Sequence, residues 1–262
     1  MTAPGAAAEA LRARRREVAK SAGRRRLRVL ISVAGAGAVV VGGLALLHSP
    51  LFAAGDISVV GARQTGRQAV LAATGLGRHP PLIDVSTTAD ERALERLPWV
   101  RRATVTREWP SSVRVVVDER LPVAEVALPG LPGRPRYALV DGTGRVLEDT
   151  ATRVAAVALV RDAGPVPPPG GWLRAPARAA VAAAEAIPVS LVREVASVDA
   201  ANHSGVRLQL RTGALVLLGP ATQLREKMVS LATVMERIAG VAGAPAIVTI
   251  DLRVPSDPVL TS

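Results

Sequence analysis

The residues of this chain that could do chemistry are few, and they do not converge. His48 follows an apolar run, His79 lies in a Pro-containing loop and His203 in a turn, and no two stand at a metal-ligand spacing. There is no Cys, so neither a thiolate nucleophile nor a disulfide is available. No Gly-x-Ser-x-Gly elbow and no phosphate-cradling loop occurs. Asp141 heads Asp141-Gly142-Thr143-Gly144, where an Asp–Gly pair has its own backbone role in a hairpin turn. Leu224, Met228, Leu231, Met235 and Ile238 recur at helical spacing, which is core packing rather than a ligand box. These patterns point to no catalytic residue, no metal and no cofactor.

The elements that position what remains begin with charge. The 262 residues carry a net +11, but nine cations and two anions crowd into residues 1–28. A nucleic-acid-binding domain carries its basic patch on a folded surface, so an excess confined to a tail argues against that class. The tail, rich in Ala and Arg, has no core-forming pattern and is expected to be disordered. From Val29 to Leu47 the chain then runs without a charge. At about 1.5 Å per residue this segment is long enough to cross the hydrocarbon core of a bilayer. It is longer than a signal-peptide core, and no clean small-x-small cleavage site follows it, so it reads as an uncleaved span over 29–48. The cations before it place residues 1–28 in the cytoplasm and residues 48–262 outside. Ala34, Ala38 and Gly42 would let such a helix pack closely on another.

Beyond the span, Asp56 to Gly61 predicts a short strand, and Thr65 to Ala73 a helix. Thr88-Ala89-Asp90-Glu91 fits a capping box for a second helix that carries Leu94 and ends before Pro98. Val100–Arg107 and Val113–Arg120 alternate with period two, and Trp109-Pro110-Ser111-Ser112 turns one into the other. Trp99 and Trp109, at its two ends, are expected to be buried and to fix the register of this hairpin.

Here the residues reach a resemblance. An apolar span followed by strand, helix, helix, strand, strand, with Leu97-Pro98-Trp99-Val100, Trp109-Pro110 and Glu119-Arg120-Leu121-Pro122-Val123-Ala124, resembles the POTRA domain of the FtsQ/DivIB family of bacterial cell-division proteins. Each motif is short, but their order and distance from one span are specific. Pro98, Trp99, Trp109, Pro110, Glu119, Arg120 and Pro122 are read as structural in that motif.

The chain after Pro122 fits a second domain. Leu128 to Arg136 is Pro- and Gly-rich and reads as a loop. Tyr137–Val140 and Arg145–Leu147 form a hairpin about Asp141, similar to the one that opens the β-rich domain of the same family. A Pro-rich loop over 161–171, a helix over 178–186, strands over 192–199, 206–210 and 214–218, a turn at Asn202-His203-Ser204-Gly205, a helix over 222–239 and a last strand over 246–254 follow. Ile250-Asp251-Leu252-Arg253 resembles the family's late motif, although Val254 stands where an aromatic is expected. The resemblance implies that this strand is an exposed edge that takes up a strand of the division protein FtsB, through Ile250, Leu252, Arg253, Val254 and Ser256. Unpaired amides and carbonyls give an edge that capacity, and Arg253 adds a charged contact.

The expected architecture is therefore α+β. It comprises a basic tail (1–28), one transmembrane helix (29–48), a POTRA-like β-α-α-β-β module (54–123), and a second domain with a mostly antiparallel sheet (124–260). The resemblance implies a non-enzymatic, single-pass scaffold of the plasma membrane at the midcell division site. Its partners would be FtsB and FtsL, with another division component at the POTRA-like module, and neither nucleic acid nor a small-molecule substrate. The alternatives are a POTRA-type chaperone of a secretion or assembly system and a membrane-anchored hydrolase.

Overall fold

The computed structural model describes residues 30–131, 134–154, 157–201, 205–239 and 249–261. The basic tail, the turn at Asn202-His203-Ser204 and the expected strand residues 246–248 lie outside them. Helix α1 (Leu30–Leu47) has 18 residues, none of them buried, and is long and apolar enough to cross a membrane. Its exposed Leu, Ile and Val side chains form a surface that water tolerates poorly, and a bilayer removes that cost.

The described residues group into two compact units, one formed by the chain up to Ser58 with Gly75–Ser86 and Thr106–Arg114, the other by the remainder. In the first unit α1 leads into a 3-10 turn at Pro50–Phe52. The Ala54 amide donates to the Pro80 carbonyl (2.9 Å) and the Leu82 amide to the Phe52 carbonyl (2.7 Å). The Ser111 carbonyl accepts from the amides of Gly55 (2.9 Å) and Asp56 (3.3 Å).

Strands β1 (Asp56–Val60), β2 (Val100–Glu108) and β3 (Ser112–Glu119) form a three-stranded sheet in the order β1-β3-β2. Helices α2 (Arg67–Thr74) and α3 (Thr87–Glu95) pack on each other. Ala103, Val105, Val113, Val115 and Val117 are buried at alternate positions, while Arg102, Thr104 and Thr106 are exposed, as the period-two pattern predicts. Gly61, at φ +88°, turns the chain out of β1 where a Cβ would stand 2.0 Å from the Val117 carbonyl oxygen. The capping box does not form as expected. Helix α3 starts at Thr87, so Thr88 lies inside it, and Glu91 Oε1 accepts instead from the Val105 amide at 2.9 Å. A tertiary donor outweighed the local one. The aromatics also differ from expectation. Trp99 is half-buried, and Trp109 is 52% exposed and meets Phe52 edge-on, with ring centroids 6.1 Å apart. A turn tip has too few neighbours to enclose an indole.

The remaining strands form one nine-stranded sheet, ordered β12-β11-β10-β9-β8-β7-β4-β5-β6. They are β4 (Pro122–Leu131), β5 (Arg134–Asp141), β6 (Val146–Thr150), β7 (Ala158–Arg161), β8 (Val195–Ala201), β9 (Gly205–Leu210), β10 (Leu215–Gly219), β11 (Thr249–Asp251) and β12 (Val259–Thr261). Five of its eight strand pairings are antiparallel, and the parallel ones join β4 to β7, β7 to β8 and β10 to β11. Helix α4 (Ala175–Ala186) lies across β4, β7, β8 and β9, and α6 (Leu224–Ala239) packs beside it. The single turn α5 (Val189–Val192) takes only Val192 of the strand expected over 192–199, and β8 begins at Val195. The core under these helices is built from small and branched side chains. Ala177, Ala180, Val181, Ala183 and Ala184 of α4 face Val126, Val140, Val160, Val198, Leu208 and Val216. A helix of alanines can approach a sheet closely, which is how a chain with five aromatic residues, one Phe, one Tyr and three Trp, still packs its interior.

The Pro-rich stretch Leu128–Arg136 is not simply a loop. Strands β4 and β5 continue through it, with Leu128 opposite Arg136 and Leu131 opposite Arg134 across an irregular register. Strand β4 pairs with β7 only at Ala124–Val126. Past that point it has one neighbour, so a proline that lacks an amide hydrogen leaves no second ladder incomplete.

Candidate functional site

Two clusters lie where the sequence motifs point. The first is the junction built by Glu119 and Arg120. The Glu119 carboxylate accepts from the amides of Gln64 (2.9 and 3.0 Å) and Thr65 (2.7 Å), just ahead of α2. Burial pushes this carboxyl up, but the amide hydrogen bonds outweigh burial and hold it below its ordinary value. The Arg120 amide donates to the Trp99 carbonyl (2.7 Å) and its Nε to the Val100 carbonyl (3.1 Å). Its guanidinium then reaches Asp141 Oδ2 at 2.6 Å. Asp141 Oδ1 accepts from Thr143 Oγ1 (2.6 Å) and from the amides of Thr143 (3.0 Å) and Arg145 (2.9 Å). Asp141 is thus the turn residue its Asp–Gly context predicts, and also an anchor for Arg120.

Arg145, buried, sends Nη2 to the carbonyls of Glu95 (3.4 Å), Arg96 (2.9 Å) and Leu97 (3.3 Å), where α3 ends. A cation there meets the negative end of the helix dipole. Burial, with Arg120 nearby, draws its pKa down. Trp172 lies against both guanidinium groups, 5.9 Å from Arg120 and 5.5 Å from Arg145. Pro98 lies beside Gly170, where an added Cβ would stand 3.8 Å from its ring. Pro98 and Pro122 are half-buried, and Pro110 is exposed at the β2–β3 turn. Glu119, Arg120, Asp141 and Arg145 each hold backbone groups in this cluster.

The second cluster is the carboxyl-terminal end of the sheet, and here the sequence reading needs correcting. The strand that carries Ile250 is not the edge. Strand β11 pairs with β10 on one side (Val216 opposite Ile250) and with β12 on the other (Ile250 opposite Leu260). Ile250 and Leu252 are buried in the core, at 1% and 0% exposure. Pro255 and Pro258 do not merely break the ladder. The chain turns through them, with the Asp257 amide on the Val254 carbonyl (3.2 Å), and returns as β12. Among the described residues no strand pairs with the outer side of β12. The exposed apolar side chains there are Val259 (54%) and Leu260 (47%), with Val254 (57%) in the preceding turn. Val259, Leu260 and Thr261 were therefore missed. Their signal was a three-residue run, Val259-Leu260-Thr261, after two prolines, too brief for a period to register.

Arg253 and Ser256 are exposed, as the edge reading required. Arg253 folds back on Asp251, with Nε and Nη2 on its carboxylate at 2.6–3.0 Å, and its stem covers Gly219. The Arg253 hydrogen bonds hold the Asp251 carboxyl below its ordinary value. Beside Ser256, Ser230 Oγ donates to the Pro255 carbonyl at 2.7 Å, tying the turn to α6. A shallow cleft of about 500 Å³ opens there between Arg225, Glu226, Val229 and Pro255. The arrangement offers an open strand edge and an apolar strip, which suits a polypeptide rather than a small substrate.

Lys227 was also overlooked. It is buried on α6 and donates through Nζ to the carbonyls of Leu218 (2.7 Å) and Pro220 (2.9 Å), with burial lowering its pKa. Its place is structural, closing the end of β10.

Comparison with known proteins follows the same division of the chain. The family model described as POTRA domain, FtsQ-type, matches residues 52–120. The model described as cell division protein FtsQ/DivIB, C-terminal, matches residues 133–253. Cell division protein FtsQ of Mycobacterium leprae is 29% identical over 79% of this chain and 56% of its own length. The protein of that name in Mycolicibacterium smegmatis is 30% identical over 74% of this chain and 55% of its own. This chain thus spans little more than half of those two relatives. The Streptomyces collinus protein of the same name is 29% identical over 85% of this chain and 86% of its own length.

Proposed function

We propose a function from this premise: the chain belongs to the FtsQ/DivIB family of bacterial cell-division proteins. It acts as a single-pass membrane scaffold of the division machinery. Helix α1 tethers it, with residues 1–28 in the cytoplasm and the POTRA and β domains, about 54–123 and 124–260, on the far side. The outer edge of β12 takes up a strand from FtsB, which brings FtsL with it, and the POTRA domain meets another division protein. The scaffold works by confinement. Partners held to one membrane meet at a raised effective concentration, so modest contacts suffice.

One observation carries this reading: β12 ends the sheet with Val259 and Leu260 exposed, next to exposed Val254 and Arg253. Backbone pairing would supply affinity there, and the apolar strip register. The experiment is site-specific crosslinking in dividing cells. A photoreactive residue at 259 or 261 should capture FtsB, while one at Glu148, on the opposite end of the sheet, should not. Capture of FtsB at 148 alone would refute the assignment, and a fluorescent fusion spread evenly over the membrane would refute the divisome role.

A further inference from the structure

We propose that Leu51, Phe52 and Trp109 form a lipid-docking surface that seats the first unit in the headgroup layer of the bilayer crossed by α1. The inference rests on reading α1 as a membrane span and adds a contact that this reading does not contain. Leu51 is 72% exposed and Trp109 52% exposed, and Phe52 lies against Trp109 with ring centroids 6.1 Å apart. Two large apolar groups held open beside a third need an apolar neighbour.

Distance decides which neighbour. After Leu47 the helix turns once more at His48, Ser49 is extended, and a separate 3-10 turn forms over Pro50–Phe52. The His48 amide bonds the Leu44 carbonyl, Ser49 bonds Leu46, and Phe52 bonds Ser49, each at 3.0 Å. One helical residue, one extended residue and three residues of 3-10 turn keep Phe52 within about 11 Å of the last residue of α1. The interfacial layer on each side of the hydrocarbon is roughly 5–8 Å thick. The Phe52–Trp109 pair is therefore tethered within reach of that layer, where amphipathic indole rings collect.

The hairpin tip cannot leave that depth freely. The Gly55 amide holds the Ser111 carbonyl at 2.9 Å, and the Phe52 carbonyl accepts from the Leu82 amide at 2.7 Å. The nearest carboxylate in sequence, Glu108, is paired with Arg114 Nε at 2.6 Å, which reduces its repulsion from lipid phosphate. A unit fastened in this way does not tumble on a loose tether. It presents one side to the membrane and the rest to partners.

The chain has no Cys, so Leu51→Cys can carry a single environment-sensitive dye. The position is exposed, so the label should not disturb folding. The full chain is placed in phosphatidylcholine and phosphatidylglycerol vesicles, and flotation tests membrane insertion. Bromine near the glycerol end of the acyl chains should quench the dye more than bromine near their tips. Trp109, in a chain carrying Trp99→Phe and Trp172→Phe, should follow the same order and emit to the blue of its unfolded value. A chain that floats but is quenched by neither lipid overturns the docking while leaving α1 as a span. A dye signal that appears only as the protein-to-lipid ratio rises assigns the surface to a second copy and also overturns it. A chain that fails to float overturns the span, and the docking with it.

Discussion

Replacing Asp141 by Ala tests whether the Arg120–Asp141 cluster holds the second unit together. The side chains of Arg120 and Asp141 are only 12% and 7% exposed. The substitution strips the guanidinium of its carboxylate and leaves the amides of Thr143 and Arg145 without an acceptor. Breaking a buried, hydrogen-bonded pair from one side costs about 3–5 kcal/mol. In a chain of this size that corresponds to a fall in Tm of roughly 6–20 °C. The control is Asp118→Ala, which removes the Arg101–Asp118 pair, 66% and 48% exposed. Exposed pairs contribute about 0.2–1 kcal/mol, so the control should move Tm by no more than roughly 4 °C. The assay is thermal melting of the full chain in detergent micelles, followed by circular dichroism. Acid supplies a second readout. Burial raises the Asp141 carboxyl, but hydrogen bonds from Thr143, Arg120 and the Arg145 amide outweigh burial and hold it below its ordinary value. Its contribution is therefore fully present above the unfolded-state value of about 3.9 and is lost as pH falls through the lower folded value. Asp141→Asn should flatten the acid limb of the stability profile, and Asp118→Asn should leave it in place. Equal melting losses in the two Ala variants would refute the assignment of the cluster as the structural anchor.

Val259→Asp and Leu260→Asp should sharply weaken co-purification of FtsB from detergent extracts while leaving Tm nearly unchanged, since both side chains are about half exposed. Ile250→Pro should instead lower Tm, because Ile250 is 1% exposed and pairs on both sides. Gly61→Ala should destabilise by more than about 1 kcal/mol in denaturant unfolding, since φ is +88° and the added methyl meets the Val117 carbonyl oxygen. Leu208→Ala, at a fully buried position on β9, should cost about 2–5 kcal/mol in the same assay.

The sequence announced those elements whose side chains repeat. The apolar run of α1, the alternation of β2, β3 and β9 and the stripe of α6 each record one environment many times over, so their faces were legible. The start of α3 was not. Glu91 had two donors in reach, one local and one on β2, and only tertiary packing brings the Val105 amide close enough to win. The prolines of 128–136 read as a loop because a sequence does not say which strand lacks a second neighbour. The edge was misplaced by one strand for a related reason. Residues 249–251 and 259–261 are each three residues long, and two short strands about two prolines look like one strand and a tail. Arg120, Asp141 and Trp172 were visible only singly. Their convergence depends on β3, β5 and a loop, far apart in the chain.

The two ends of the nine-stranded sheet differ in a way that bears on function. An unprotected edge is a hazard, and proteins blunt it with charge. Strand β6, at one end, carries exposed Glu148 and Asp149, with Asp149 paired to Arg136 of its neighbour at 3.0 Å. A second chain approaching that edge must desolvate two carboxylates. Strand β12, at the other end, presents Val259, Leu260 and Thr261, with no charge of its own. The nearby cation, Arg253, is folded back on Asp251, so its charge is largely neutralised and its stem lies along Gly219. Among the described residues the sheet thus has one edge that charge discourages from pairing and one that carries no such charge. A chain shaped only by solubility gains from protecting both. Leaving β12 bare costs solubility unless a partner strand covers it, and this asymmetry makes the carboxyl-terminal edge, rather than the sheet as a whole, the place to look for a partner strand.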